Sequence, residues 1–502
     1  MPSSLKFGTS GLRGLVSDMT GEQLRPYLDA FLALLIERKE IGQRSIVVGM
    51  DLRESSPAIA RIVGDWTAAR GLAVDDLGPV PTPALAYYCS KVGKPGIMIT
   101  GSHIPSDRNG IKFYFASREI SKEEEMRIVV LRESAMAGEL SVSLQLPSSG
   151  KGAALANDVA DEAAQLFMDR YLSAFPTRFL SGKRILVYQH SSAARDVLTA
   201  LVEAFGGEAI AVERSNVFVA VDTENLHRLD DLGRLVQEHR ADALVSTDGD
   251  GDRPLMLDEQ GCLIRGDLLG CIGAAYLKAT QLVTPVTSSS IVELSHRFPS
   301  IERTKVGSAF VISALLTRQA QGAESASVAG KNAADETAVG FEANGGLILA
   351  STVELEPGLK ALEPLLTRDS ILPLLLALLA SVRKGCSLSG LREDWPARAN
   401  ESGLISPIVP EASAAILQIL GNEVALSSSV RRCFEHLRDI DFVPTSTDML
   451  DGLKCISADH EVVHFRPSGN APEFRVYTES SSPDRADLLK QFALDVVRSM
   501  VM

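Results

Sequence analysis

The run from residue 44 to 100 constrains the fold more than any other part of the chain. It reads RSIVVGMD (44–51), then SSPAIARIVGDWTAARG, then AVDDLG, then GIMIT. The first and last segments are short apolar runs without polar alternation, the pattern of strands covered on both faces. The second opens on Ser56-Pro57 and closes on Gly71, the start and stop signals of a helix. Strands alternating with helices in this way build a mostly parallel sheet with helices on both faces. A further helix is marked by SKEEEMRIVVLRES, where Ser121 and Glu124 form a capping-box pattern.

The same texture returns twice. RILVYQH (184–190), a helix over 192–205 closed by Gly206-Gly207, EAIAVE, a helix over about 226–239 and ADALVSTD make a second unit. It ends in the hairpin PLMLDEQGCLI, with its turn at Gly261. A third unit begins near RGDLLGCIGAAYL and takes in LVTPVTSSSIV, FEANGGLILAS and the apolar helix ILPLLLALLASV (371–382). Between the first two, residues 139–160 are rich in Ser and Gly and read as a loop or linker. Composition changes again over 384–410, ahead of a terminal α+β segment. The 502 residues leave ample chain for three or four such domains.

Charge and cysteine usage exclude several functions. A net charge of −14 argues against nucleic acid or an anionic membrane as partner, since both need a basic face. Cys89, Cys262, Cys271, Cys386, Cys433 and Cys455 form no CxxC pair, so neither zinc nor a disulfide framework is expected. The start MPSSLKFGTSG has no signal-peptide pattern. The apolar run at 371–382 is too short to span a bilayer and carries Pro373. These features together predict a cytoplasmic protein.

Chemistry concentrates in five segments. In TGSHIPSDRNGIKF, the strand GIMIT stops at Gly101 and is followed by Ser102, His103 and, further on, Lys112. A serine in this place either caps a helix or stands as a nucleophile. No G-x-S-x-G elbow is present, which disfavours a serine hydrolase. In STDGDGDRP, Asp248, Asp250 and Asp252 alternate with glycine directly after ADALV. Carboxylates this close repel one another unless a cation sits between them, and hard oxygen ligands select Mg²⁺ or Ca²⁺. An EF-hand is excluded, because its sixth position must be Gly and here is Arg253. Mg²⁺ usually binds substrate phosphate too, so this loop expects a phosphate nearby. It also supplies the cation that a nucleophilic Ser102 needs.

HFRPSGNAPEFRVY gathers Arg466, Ser468, Gly469 and Asn470 into one turn, a design for gripping phosphate or carboxylate, or a plain turn between strands. GFEANGG sets Glu342 and Asn344 between glycines, which suits sugar hydroxyls or a simple β-turn. FGTSGLRG carries Arg13 between glycines, able to reach a phosphate or to sit in a surface turn. His190, His227, His239, His296 and His436 lie apart from these segments and read as structural or surface residues. His464 lies two residues before Arg466 and could line that loop.

In this order, the five segments resemble the α-D-phosphohexomutase superfamily over essentially the whole chain. The resemblance implies three related α/β domains with mixed, mostly parallel sheets, plus a smaller C-terminal α+β domain, around a central cleft. The expected divisions are 1–145, 155–262, 263–384 and 385–502. Ser102 is then the phosphoserine, and with Asp248, Asp250 and Asp252 it holds one Mg²⁺. Arg13, His103, Lys112 and Arg253 surround the transferring phosphoryl group, with Lys112 handling the proton. Glu342 and Asn344 bind sugar hydroxyls, and Gly307 of KVGSAF lies in a further ligand loop. Arg466, Ser468, Gly469 and Asn470 hold the phosphate that is not reacting. The implied reaction interconverts a hexose 6-phosphate and a hexose 1-phosphate through a 1,6-bisphosphate, which also serves as activator. Mannose is the expected sugar, with glucose, both sugars or glucosamine as alternatives, and the enzyme is a monomer or homodimer. Two departures stand out: many relatives have Gly-Glu-x-Ser-Gly-His where this chain has Phe341 to Gly346, and Thr-Glu where it has Asn470-Ala471. A phosphatase using the Asp loop would not need the second phosphate grip. A non-catalytic sugar-phosphate sensor would have lost Ser102 or the Asp triplet, and both are present.

Overall fold

The computed structural model describes residues 4–8, 10–138, 156–329, 336–424, 440–468 and 472–501. They fall into two compact units, Met1–Val283 with Gly307–Arg392 and Thr284–Val306 with Glu393–Met502. Cys433, Gly469 and Asn470 lie outside the described residues.

In the first unit, a seven-stranded sheet runs in the order Lys6–Phe7, Leu12–Leu15, Arg108–Tyr114, Gly96–Ile99, Ser45–Met50, Ala73–Pro79, Ala156–Asp158. Parallel and antiparallel pairs have equal shares of it. Gly96–Ile99, Ser45–Met50, Ala73–Pro79 and Ala156–Asp158 run parallel to one another, and Arg108–Tyr114, Leu12–Leu15 and Lys6–Phe7 continue the sheet in antiparallel pairs. Ile46, Val47, Ile97, Met98 and Ile99 are buried, as strands covered on both faces must be. The helix Ser56–Ala69 carries Pro at its start, and Lys122–Met136 opens on the complete capping box of Ser121 and Glu124. Phe31 and Phe113 stack at 4.6 Å in the core between sheet and helices.

A second sheet has the order Leu263–Ile264, Pro254–Asp258, Ala243–Thr247, Arg184–His190, Glu208–Arg214. A third brings residues 281–283 parallel to Ala338–Phe341, which forms an antiparallel ribbon with Leu347–Leu349 and Leu365–Asp369. The apolar helix Ile371–Lys384 is buried over most of its length and ends at Gly385 with φ +68°. Among the described residues, no helix is long and apolar enough to cross a membrane.

The second unit is an antiparallel sheet, Ala399–Ile405, Phe474–Ser480, Val462–Pro467, Leu453–Ser457, Pro444–Asp448. Helices Pro410–Val424 and Pro483–Val501 pack their apolar sides onto it, around Phe442, Phe465, Phe474 and Leu489.

Several boundaries differ from the sequence reading. Asn157 and Asp158 belong to an edge strand rather than a linker, because backbone pairing to Ala73–Pro79 needs no apolar side chain. The helices expected from 192 and 226 begin at Arg195 and Leu229. The Ser- and Pro-rich stretch after 384 holds a full strand, Ala399–Ile405, whose partner Phe474–Ser480 lies far away in sequence.

Candidate functional site

The site of the first unit forms where strands stop. Beyond Gly96–Ile99, the Thr100 hydroxyl donates to Asp51 at 2.8 Å and accepts the Ser102 backbone N–H at 2.7 Å. Ser102 then takes φ +54°, a left-handed conformation that disfavours a side chain by about 1–2 kcal/mol. Arg53 holds it there. Its guanidinium donates to Asp51 (3.2 Å) and to the carbonyls of Pro105 (2.8 Å), Arg108 (2.9 Å), Ser102 (3.0 Å) and Ile104 (2.5 Å). The ring of Phe218 covers it at 3.9 Å. Gly101 is obligatory, since a Cβ there would lie 2.5 Å from Arg53 Cζ. Turns, not a helix, follow Ser102, so it is no helix cap. Its Oγ donates to Asp248 Oδ2 at 2.7 Å and lies 3.3 Å from His103 Nδ1.

The Asp loop is the tip of an antiparallel hairpin, with Thr247 opposite Pro254, which confirms strand flanks in place of EF-hand helices. Asp248 Oδ1 accepts the backbone N–H groups of Asp252 (3.1 Å) and Arg253 (3.2 Å), closing the loop on itself. Gly249 sits against Ser102; a Cβ on it would lie 2.8 Å from the Ser102 carbonyl oxygen. The three carboxylates are buried, with one oxygen from each within 4.8 Å of the others. Asp250 Oδ2 accepts from Thr82 (2.6 Å) and Lys112 (2.7 Å), and Asp252 Oδ2 from Lys112 (2.6 Å) and Arg368 (2.5 Å). Asp250 Oδ1 and Asp252 Oδ1 have no hydrogen-bond donor.

Opposite charges share this pocket. Burial, Asp250 and Asp252 push the Asp248 carboxyl well above the usual range. Burial pulls the same way on Asp252, but Arg368, Lys112 and Arg253 outweigh it and hold that carboxyl low. Lys112 keeps its charge: burial opposes it, and Asp250 and Asp252 more than compensate. Arg253, together with burial and Arg13, drives His103 far below the usual histidine range, so its imidazole is neutral. Arg13 is lowered to about 10, by burial first and then by Arg253 and Arg368. Lys112, Arg253 and Arg368 thus offset Asp252, and Lys112 offsets Asp250, which is how these charged groups remain buried together. The unpaired oxygens and the hard donor set fit a Mg²⁺ ion.

Glu342 and Asn344 lie in the hairpin between Ala338–Phe341 and Leu347–Leu349. Glu342 Oε2 accepts from Arg368 Nη1, and Asn344 Oδ1 accepts the Gly346 N–H at 3.0 Å. Gly307 has φ +134° and opens the helix Ser308–Ala329, whose Ser308 hydroxyl donates to Glu119 at 3.0 Å. Glu119 also accepts from Ser10 (2.6 Å), near Arg13 in sequence.

The second unit carries the other predicted grip. Arg466 is buried and its Nε donates to Asp451 at 2.9 Å. The Ser468 N–H donates to the Glu473 carbonyl at 2.9 Å. His464 is buried beneath Arg466, its Nε2 2.7 Å from the Asp451 carbonyl, and burial lowers it to about 4.

The structure therefore brings Ser102, His103, Lys112, Arg253 and the Asp triplet together, and adds Thr82, Arg53 and Arg368, which the sequence reading missed. For Arg53 a signal existed: Asp51 and Arg53 follow a strand end, where such sheets place their ligand residues. Arg368 offered only a charged pair, Arg368-Asp369, in an apolar run.

Known proteins resemble this chain in sequence and in fold. Family models described as phosphoglucomutase/phosphomannomutase, alpha/beta/alpha domains I and II, match residues 4–136 and 169–261. A phosphomannomutase of Sinorhizobium fredii (strain NBRC 101917 / NGR234) is 38% identical over 500 residues, covering 99% of each chain. One from Salmonella muenchen is 35% identical, covering 99% of this chain and 96% of that one. The crystal structure of a phosphoglucomutase/phosphomannomutase family protein from Burkholderia thailandensis superposes with a TM-score of 0.70 at 17% identity, over 98% and 97% of the two chains, and shows a shared fold.

Proposed function

Because the chain belongs to the phosphoglucomutase/phosphomannomutase family, we propose that it interconverts mannose 6-phosphate and mannose 1-phosphate with Ser102 as the phosphoryl carrier. The observation that carries this is the convergence of the Ser102 hydroxyl, Lys112 and two unpaired carboxylate oxygens on one buried spot. A divalent cation and a phosphoryl dianion arriving together leave the charge there balanced, whereas either alone upsets it. Asp248, Asp250, Asp252 and the Ser102 phosphate are the ligands we assign to Mg²⁺. When bound, Mg²⁺ draws charge from the transferring phosphoryl oxygens.

The reaction proceeds in two displacements. The free sugar hydroxyl attacks the phosphorus on Ser102; the new P–O bond forms as the bond to Ser102 Oγ breaks, and the hydroxyl proton leaves. The resulting 1,6-bisphosphate then presents its other phosphate, and Ser102 Oγ takes that group back. Lys112, Arg13 and Arg253 stabilise the charge on the equatorial oxygens, the main task in phosphoryl transfer. We assign the proton relay to charged Lys112, which gives a proton to Ser102 Oγ as its bond to phosphorus breaks and regains one from the attacking hydroxyl, with neutral His103 beside Ser102 Oγ as a hydrogen-bond partner. Glu342, Asn344 and Gly307 are assigned to the sugar. Arg466, Ser468, Gly469 and Asn470 are assigned to its distal phosphate. The four-domain division into 1–145, 155–262, 263–384 and 385–502, activation by a hexose 1,6-bisphosphate and a cytoplasmic location belong to the same proposal.

The test is a coupled assay on mannose 1-phosphate, glucose 1-phosphate and glucosamine 1-phosphate, with Mg²⁺ and catalytic glucose 1,6-bisphosphate. Mannose 1-phosphate should give the highest kcat/KM, and Ser102→Ala should lower it by about 10⁴-fold or more. An S102A variant as fast as the parent sinks the phosphoserine mechanism, and no turnover of any sugar sinks the mutase reading.

A further inference from the structure

Arg368 has no part in that scheme. It is buried, its side chain 3% exposed, near the end of strand Leu365–Asp369. Its Nη2 donates to Asp252 Oδ2 at 2.5 Å and its Nη1 to Glu342 Oε2. One guanidinium thus holds a carboxylate of the Asp loop and a carboxylate of the FEANGG hairpin.

Its neighbours allow it little freedom. Asp369 accepts the N–H groups of Ile371 (3.0 Å) and Leu372 (3.1 Å) and is tied to Arg170 (3.1 Å) and Tyr171 (2.7 Å). The Ser370 hydroxyl donates to the Gly251 carbonyl, inside the Asp loop, at 2.6 Å. Across from it, a Cβ on Gly346 would lie 2.7 Å from the Asp252 carbonyl oxygen and 2.8 Å from Arg368 Cβ. The two loops and the arginine are packed without room for one more carbon.

We propose that Arg368 is a positioning residue that joins the two loops, so that divalent-cation binding depends on Glu342 through one shared guanidinium. This rests on the reading of Asp252 as a metal ligand and Glu342 as a sugar contact. Arg368 and Lys112 together occupy Asp252 Oδ2, and that leaves Oδ1 as the oxygen offered to a cation. A lysine at 368 keeps the charge, but a point charge cannot span two carboxylates as a planar fork does. A glutamine at 342 releases the fork from one side, and the guanidinium then bears more fully on Asp252, in competition with a cation. By linkage, whatever engages Glu342 must also change cation affinity.

Calorimetric titration of Mn²⁺ into the full-length protein reads the joint without turnover. Outer-shell partners of metal ligands typically alter affinity by about 10–100-fold. R368K should therefore weaken Mn²⁺ binding by about tenfold, and E342Q by about threefold or more. In the R368K background E342Q should add no further loss. R368K should also raise KM for mannose 1-phosphate more than it lowers kcat. If R368K does not fold, the E342Q titration decides alone. R368K and E342Q binding Mn²⁺ as the parent does, while D252N abolishes binding, overturns the joint and leaves the metal-loop reading standing. An additive loss in the double variant also overturns it, since Glu342 would then act on the cation without Arg368. D252N binding Mn²⁺ like the parent overturns the metal-loop reading instead.

Discussion

Two buried carboxylate groups, one in each unit, meet their surroundings in opposite ways. Glu479, in the second unit, is finished by its own chain. Its Oε1 accepts from Ser289 Oγ (3.1 Å), Ser290 and Arg398 Nε (2.7 Å), and its Oε2 from the Ser290 N–H (3.0 Å) and Asn400 Nδ2 (3.2 Å). Asp250 and Asp252, in the first unit, are half finished: one oxygen of each takes two donors and the other takes none. Folded proteins rarely leave buried polar atoms unpaired, because each costs about 1–3 kcal/mol. The completed carboxylate is therefore architecture, and the incomplete pair has oxygens with which it could hold a metal ion.

The largest effect that would test this contrast is in the first unit. Asp250→Asn keeps the shape and removes a metal-facing charge. Mn²⁺ affinity should fall by about 100-fold or more, and turnover by on the order of 10³-fold. Stability in urea should shift by no more than about 1 kcal/mol, because relief of repulsion among the three carboxylates offsets the weakened pair with Lys112. Several kcal/mol lost with Mn²⁺ affinity intact would break the comparison. Glu479→Gln should do the reverse. It leaves the Arg398 charge, on a side chain 5% exposed, with the neutral His460 carbonyl in place of a carboxylate, and should destabilise by about 3–5 kcal/mol while kcat of the folded protein stays unchanged. A stable but inactive E479Q would place that carboxylate in the wrong class.

The contrast also explains what the sequence could disclose. Ser102 and the Asp triplet were legible because glycine isolates polar residues directly after apolar strands, so the signal is local. The buried strands and the capped helix at Ser121 were legible for the same reason. Arg368 was not, because its meaning lies in Asp252 and Glu342, which only the fold brings to it. Thr82 and Arg53 are similar: a hydroxyl at a helix start and a strand-end arginine become site residues when Asp250 and the Ser102 loop are placed against them. The strand Ala399–Ile405 was hidden by Ser, Gly and Pro around it, and its identity comes from pairing with Phe474–Ser480. Chemistry written by neighbours in sequence was readable, and chemistry written by neighbours in space was not.

The smallest effect concerns a charge that the second unit resolves by neither route. Lys454 is buried and its Nζ donates to the Val286 carbonyl at 2.8 Å. Burial, then the nearby Arg303, lowers it to about 8 from the ordinary 10.5. The sign follows from the folded value lying below the unfolded one. Above pH 10.5 the amine is neutral in both states and nothing is lost; as pH falls from 10.5 to about 8 the unfolded chain takes up a proton that the folded protein does not, so the cost accumulates over that window and is constant below it. The cost at pH 7 is about 3 kcal/mol. Lys454→Met removes that cost and forfeits one hydrogen bond of about 1 kcal/mol, so at pH 7 it should be the more stable by about 1–2 kcal/mol. Urea unfolding at pH 7 and pH 10 should show the parent closing that gap as the amine loses its proton. A constant gap would mean that Lys454 carries its charge at no cost in the fold. A closing gap would separate three fates of a buried charge: paired by the chain at Glu479, open to a cation at Asp250 and Asp252, and carried at a cost that disappears as pH rises at Lys454.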